Sequence, residues 1–171
     1  MRAWAPIWPP VVAVLLALAA MSPTVLAQIY TTTGAMPVRI ELVAACTVSA
    51  ADLNFGAYAS NSATPVLGQT TISLNCGIGQ TAELSLDAGT GAGASTTNRR
   101  MEGSGVVGRI TYGLYQDPGR TIHWGDRSGR DTLEVVTTGV VQSIPIYGQI
   151  PAGQREQSGT YTDTITLRVM Y

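Results

Sequence analysis

The sequence predicts an all-β chain, a sandwich or barrel of short strands. Three observations carry this. Apolar and polar residues alternate with period two in one segment after another. Clusters of Gly, Pro, Asp and Ser separate those segments, and beyond residue 27 no stretch has a helical period. Many short alternating segments between turn signals are the pattern of a sandwich or barrel.

Residues 1–27 stand apart from this pattern. They carry one charge, Arg2, then an apolar run over 11–20, and close on Val25-Leu26-Ala27. That is the layout of a secretory signal peptide with a small-residue cleavage site. A membrane anchor is the alternative, but the run falls short of the ~20 residues a span needs. The mature chain is expected to run from Gln28 to Tyr171 as one domain with a sizeable core.

The first alternating segment, "MPVRIELVA", spans 36–44. Met36, Val38, Ile40, Leu42 and Ala44 share one face; Pro37, Arg39 and Glu41 share the other. "CTVSAADLNFGAY" begins as a short strand and then carries Leu53 and Phe55 before Gly56. "TTISLNC" sets Ile72, Leu74 and Cys76 on one side, and "TAELSLD" does the same with Ala82, Leu84 and Leu86. "AGTGAGASTTN" is too poor in apolar groups to pack and is expected as a loop. "GRITYGLYQ" groups Ile110, Tyr112 and Leu114, and "DPG" at 117–119 is a turn signal. "TIHW", "TLEVVTT" and "VVQSIPIYGQI" are expected as three further strands, and "PAGQREQSG" as a loop. The closing "GTYTDTITLRVMY" sets Tyr161, Ile165, Leu167, Val169 and Tyr171 on one face, with Asp163 as the exception. Thr162, Thr164, Thr166 and Arg168 lie on the other face, which Met170 interrupts. It is expected as one continuous strand with no later segment to pair with, hence an open edge.

Composition excludes several functions. With 12% charged residues and a net charge of −1, nothing points to a nucleic acid partner. There is no Lys, so there is no Walker A lysine. Two cysteines, Cys46 and Cys76, remain in a chain expected to be exported, where one disulfide is the default and two free thiols the alternative. The disulfide would close a loop of about thirty residues, worth roughly 3–4 kcal/mol by chain entropy. With a single His, this pair cannot complete a four-ligand zinc site, so no metal is expected.

Catalytic constellations are thin. His123 with Asp126 or Asp131 and a serine would make a triad, but a half-buried strand residue beside Trp124 is the simpler reading. No GxSxG elbow is present. Asp87, Glu102, Asp117 and Asp131 each sit near a turn or loop, and nothing selects two of them as a glycosidase pair. No enzyme activity and no cofactor is expected. An aromatic patch of Trp124, Tyr112 and Tyr115 on a complete, secreted monomer would instead make a carbohydrate- or surface-binding module, the alternative function.

The order "CTV…LNFGAY", "ISLNC", "RRM", "ITYGLYQDPGRTIHWGD", "IPIYGQI", "GTYTDTITLRVMY" resembles the spore coat protein U domain family. That family includes subunits of archaic, Csu-type chaperone–usher pili. The resemblance spans about 34–171. It implies an incomplete immunoglobulin-like β-sandwich of pilin type, completed by donor-strand complementation. It implies three kinds of partner: a periplasmic pilus chaperone, an outer-membrane usher and neighbouring pilus subunits. It implies export through the periplasm to a cell-surface fibre, a pilus or a spore coat. On this reading 28–45 is a donor segment, with Met36, Val38, Ile40 and Leu42 as the inserting face, and 46–171 is the sandwich domain. Tyr161, Ile165, Leu167, Val169 and Tyr171 would line the acceptor edge. From periodicity alone, "MPVRIELVA" serves equally as the first strand of the molecule's own sandwich. Pro37 lacks a donor N–H, so pairing would start at Val38 or leave Pro37 facing outward. Tip adhesins of this type carry two such domains; one domain implies a shaft or adaptor subunit.

Overall fold

The computed structural model describes residues 36–43 and 45–171. The expected signal peptide, 1–27, and the beginning of the segment expected as a donor, 28–35, lie outside the described residues. The chain divides into two units, Met1–Ile40 and Glu41–Tyr171. Of the first, the described residues 36–40 form no strand and expose their side chains.

The second unit is all-β, with no helix among its described residues. Nine strands follow in order: β1 (Cys46–Ala50), β2 (Val66–Cys76), β3 (Thr81–Leu86), β4 (Arg99–Ser104), β5 (Arg109–Tyr115), β6 (Leu133–Val136), β7 (Gln142–Ile150), β8 (Thr160–Thr162) and β9 (Leu167–Met170). Six of them form one sheet in the order β1-β2-β7-β5-β4-β8, and three form a second in the order β6-β3-β9. Every pairing is antiparallel. The two sheets pack as a sandwich around a core of Ile72, Leu74, Leu84, Leu86, Tyr112, Leu114, Trp124, Ile144 and Ile146.

Four strands follow the alternation read from sequence. Ile72, Leu74 and Cys76 of β2 are buried, with exposed residues between them. Ala82, Leu84 and Leu86 of β3, Ile110, Tyr112 and Leu114 of β5, and Ile144, Ile146 and Ile150 of β7 are buried too, but the residues between them are half-buried or, at Ser85, Gly113 and Gly148, buried. A fully buried Leu or Ile contributes about 1.5–3 kcal/mol relative to exposure, so these inward faces dominate the fold.

Three elements differ from expectation. "TIHW" is not a strand; His123 makes one isolated bridge to Tyr115. The backbone turns there because the Trp124 ring must reach beneath β3. Its Nε1 donates to Leu84 O at 3.0 Å, and the residue is fully buried. β4 carries Arg99, Arg100 and Glu102 and has no apolar alternation, so no strand was expected at "RRMEGS". The closing segment is two strands. β8 pairs with β4 in the large sheet, and β9 pairs with β3 in the small one. Residues 163–166 cross from one sheet to the other.

Candidate functional site

A cleft opens between the end of β1 and the crossing segment. Its first part holds about 440 Å³ and is lined by Leu53, Phe55, Met101, Tyr112, Ile165 and Leu167, among others. A wider part, about 860 Å³, continues past Tyr58, Ile110, Ile150 and Tyr161. Both parts share Leu53, Phe55, Met101 and Tyr161.

One wall is built after β1. The chain leaves β1 at Ala51, whose carbonyl accepts from Thr70 Oγ1 at 2.9 Å. Leu53 and Phe55 then lie directly on two glycines, Gly68 of β2 and Gly148 of β7, which face each other in the ladder. A Cβ on Gly68 would sit 2.9 Å from Leu53, and one on Gly148 would sit 2.6 Å from the Phe55 ring. The glycines therefore make a flat shelf that seats the two side chains. Gly148→Val is expected to expel Phe55 and cost about 2–3 kcal/mol, read as a fall in urea midpoint. Gly77→Ala, whose Cβ would meet only Gln80 at 3.9 Å, is the control and should change little. An unchanged midpoint for Gly148→Val would refute the shelf.

Asp163 fixes the opposite wall. Its Oδ1 accepts from the Thr90 N–H at 2.8 Å, from Thr90 Oγ1 at 2.9 Å and from the Thr164 N–H at 2.8 Å. Its Oδ2 accepts from the Tyr112 hydroxyl at 2.7 Å. Burial, and then this carboxylate, push the Tyr112 phenol far above its ordinary range, so it remains a donor. Nearby, the Thr166 N–H donates to Asp87 Oδ1 at 2.9 Å, and Thr166 O accepts from the Asp87 N–H. Burial raises the Asp87 carboxyl, but hydrogen bonds from Thr166 and Gly89 outweigh it and hold it below the usual range. Behind these, Arg99 is fully buried and spends its fork on main-chain carbonyls: Asp87 O, Thr96 O, Leu86 O and Trp124 O, at 2.7–2.9 Å.

The strand edges above the cleft are bare on one side. Among the described residues β1 pairs only with β2, and β9 pairs only with β3. The two edges approach each other although they belong to different sheets. Unpaired edge N–H and C=O groups are a template for an incoming strand.

The residues singled out from sequence fall as follows. Tyr161, Ile165 and Leu167 are half-buried and line the cleft. Val169 is half-buried and packs on the core opposite Leu84, outside the cleft lining. Tyr171 lies beyond β9 and is 57% exposed. Met36, Val38, Ile40 and Leu42 are 82–92% exposed. Cys46 and Cys76 are joined as a disulfide at the first pair of the β1–β2 ladder. Leu53, Phe55, Met101 and Tyr112 were not singled out for the site. They come from segments far apart in sequence, and no local pattern marks their convergence.

The catalytic alternative finds no geometry. The His123 ring lies against Tyr115 with ring centroids 4.6 Å apart, and its buried Nδ1 has no hydrogen-bond partner among the described residues. Burial, then Arg99, lowers its pKa. Asp131 is engaged instead by the Arg127 N–H and Nε. The aromatic patch is absent too, because Trp124 and Tyr112 are both core residues.

Comparison with known proteins agrees with this architecture. The Spore Coat Protein U domain matches residues 32–168. Protein U of Myxococcus xanthus is 34% identical over 128 residues, which is 70% of this chain and 71% of that protein. A similar fold occurs in the crystal structure of the CsuC–CsuE chaperone–tip adhesion subunit pre-assembly complex, from archaic chaperone–usher Csu pili of Acinetobacter baumannii. The TM-score is 0.55 at 21% identity, and the match covers 75% of this chain and 40% of that one. The matched residues take in β1 to β8, the start of β9 and the whole cleft lining, and on that basis the chain belongs to the Spore Coat Protein U domain family.

Proposed function

We propose that this protein is an exported structural subunit of a chaperone–usher fibre, a pilus or coat, that polymerises by donor-strand exchange and has no catalytic role. The observation that carries this is the pair of bare edges, β1 and β9, facing each other over an apolar cleft. A strand added along a bare edge beside the cleft would pair with it and cover the apolar lining. The partners would be a periplasmic chaperone that fills the cleft first, an outer-membrane usher, and the next copy of a similar subunit. Residues 36–42 of a neighbour supply a suitable face: four apolar side chains two residues apart. Their burial is worth roughly 6–12 kcal/mol before the entropy of ordering is subtracted.

Strand directions support a head-to-tail arrangement. β1 starts at the disulfide end of the sandwich, and β9 runs towards that same end. The chain leaves its own domain there, at Ala45, whose carbonyl accepts from the Gly77 N–H. A donor lying antiparallel to β9 emerges at the opposite end, so the donor's body does not collide with the acceptor's own extension. A donor lying parallel to β9 would place both at one end and block growth.

The test is thermal melting of a core beginning at Ala45, held with a chaperone during preparation, with and without a peptide spanning 34–45. A large, slowly established rise in melting temperature is expected. A core already stable and monomeric, indifferent to the peptide, would refute the reading and favour a complete binding module.

A further inference from the structure

Four large apolar side chains stand exposed at the disulfide end: Ile78 at 77%, Val136 at 67%, Val140 at 64% and Val141 at 65%. They are not frayed ends. The β2–β3 turn and the β6–β7 loop that carry them are locked together by Thr137, which is buried. Its hydroxyl donates to Gly77 O, and its main chain exchanges bonds with Gly79 and Gln80. Gly139 approaches Ile78 so closely that a Cβ would lie 3.2 Å from the Ile78 Cβ. The loop therefore presses on the turn and presents Val140 and Val141 next to Ile78. A rigid apolar cap on an exported protein that gains nothing from it in its own fold is the signature of a contact surface.

The position of the cap names its occupant. Ala45, where the extension leaves the domain, is bonded to Gly77, the residue before Ile78. Leu42, the last residue of the donor face, is four peptide steps from Cys46, a reach of roughly 14 Å at full stretch. Whatever holds the donor face must lie that close to the cap. We infer that the Ile78–Val140–Val141 cap is a second subunit joint, seated on the cleft-mouth end of the copy that holds the donor segment. This rests on the donor-strand reading above and adds a rigid-body contact to it. The tether lets neighbouring copies swivel; the cap limits that swivel by burying its own apolar surface against the acceptor.

The test uses full-length chain with Ile78→Cys, which adds one free thiol away from the core. Maleimide labelling is compared between assembled fibres and the chaperone-held subunit. Burial at a joint should slow labelling about tenfold or more, since thiol reactivity follows access. Thr71→Cys, exposed in the middle of β2 and away from both ends of the sandwich, should label equally in both states. A second variant, Ile78→Asp with Val140→Asp, should still polymerise but give fibres with several-fold greater curvature fluctuation in electron micrographs. Equal labelling of Ile78→Cys in both states, or unchanged stiffness in the double variant, would overturn the cap. Polymers that also form when Ile40 is replaced by Asp would overturn the donor-strand reading itself, so the two failures are separable.

Discussion

Ile40→Asp is expected to abolish polymers while leaving the melting temperature of the sandwich unchanged. Ile40 is 90% exposed, so a carboxylate there meets only water in the free subunit. In a neighbour's cleft the same carboxylate would sit among Leu53, Phe55, Ile165 and Leu167, with no cation lining that cleft. Losing the isoleucine forfeits about 1.5–3 kcal/mol of burial. Burying an unpaired carboxylate adds a penalty of several kcal/mol more, which is enough to stop exchange. Periplasmic extracts run without boiling, with electron microscopy of the cell surface, provide the measurement. Normal ladders and fibres from the mutant would reject this donor face. Glu41→Ala, on the opposite face, should polymerise as wild type does.

The largest effect on folding is expected at Arg99. Its guanidinium serves four main-chain carbonyls, at the end of β3, at Asp87, at Thr96 and at Trp124. It thus ties together segments that no strand ladder joins. Arg99→Met keeps the apolar stem but leaves buried acceptors without donors. Each such group costs about 1–3 kcal/mol, and because they share one site the sum is not additive. A total of about 3–5 kcal/mol is expected, a large part of a net stability on the order of 5–15 kcal/mol. The melting temperature should fall by roughly 10 °C. Arg99→Lys keeps the charge but not the planar fork, so it should recover only part of the loss. A fall below 2 °C for Arg99→Met would show that solvent satisfies those carbonyls.

The regular half of the fold is legible in the sequence. β2, β3, β5 and β7 each bury a face of apolar residues two apart, which writes their period into the residues although only β2 fully exposes the other face. What escaped is where the chain breaks its own rule. The final segment keeps one half-buried face on both sides of the crossing, so its period runs on although the strand does not. Only Asp163 interrupts that face, and Asp163 is where the chain changes sheets. β4 is stitched by Arg99, whose partners lie at 86, 87, 96 and 124, so its placement depends on distant backbone. The cleft wall is equally non-local. Leu53 and Phe55 read as a weak hydrophobic pair until Gly68 and Gly148 are brought beneath them.

The placement of the Cys46–Cys76 disulfide has a mechanical consequence. Load drawn through the N-terminal extension reaches the domain at Ala45, one residue before the first rung of the β1–β2 ladder. Without a cross-link, that load would fall first on the short five-pair ladder between β1 and β2. Behind the single Ala45–Gly77 bond, the covalent rung stands in front of the rest of the ladder. It diverts tension into β2 and from there into the nine-pair ladder with β7, where load is shared in shear across the centre of the large sheet.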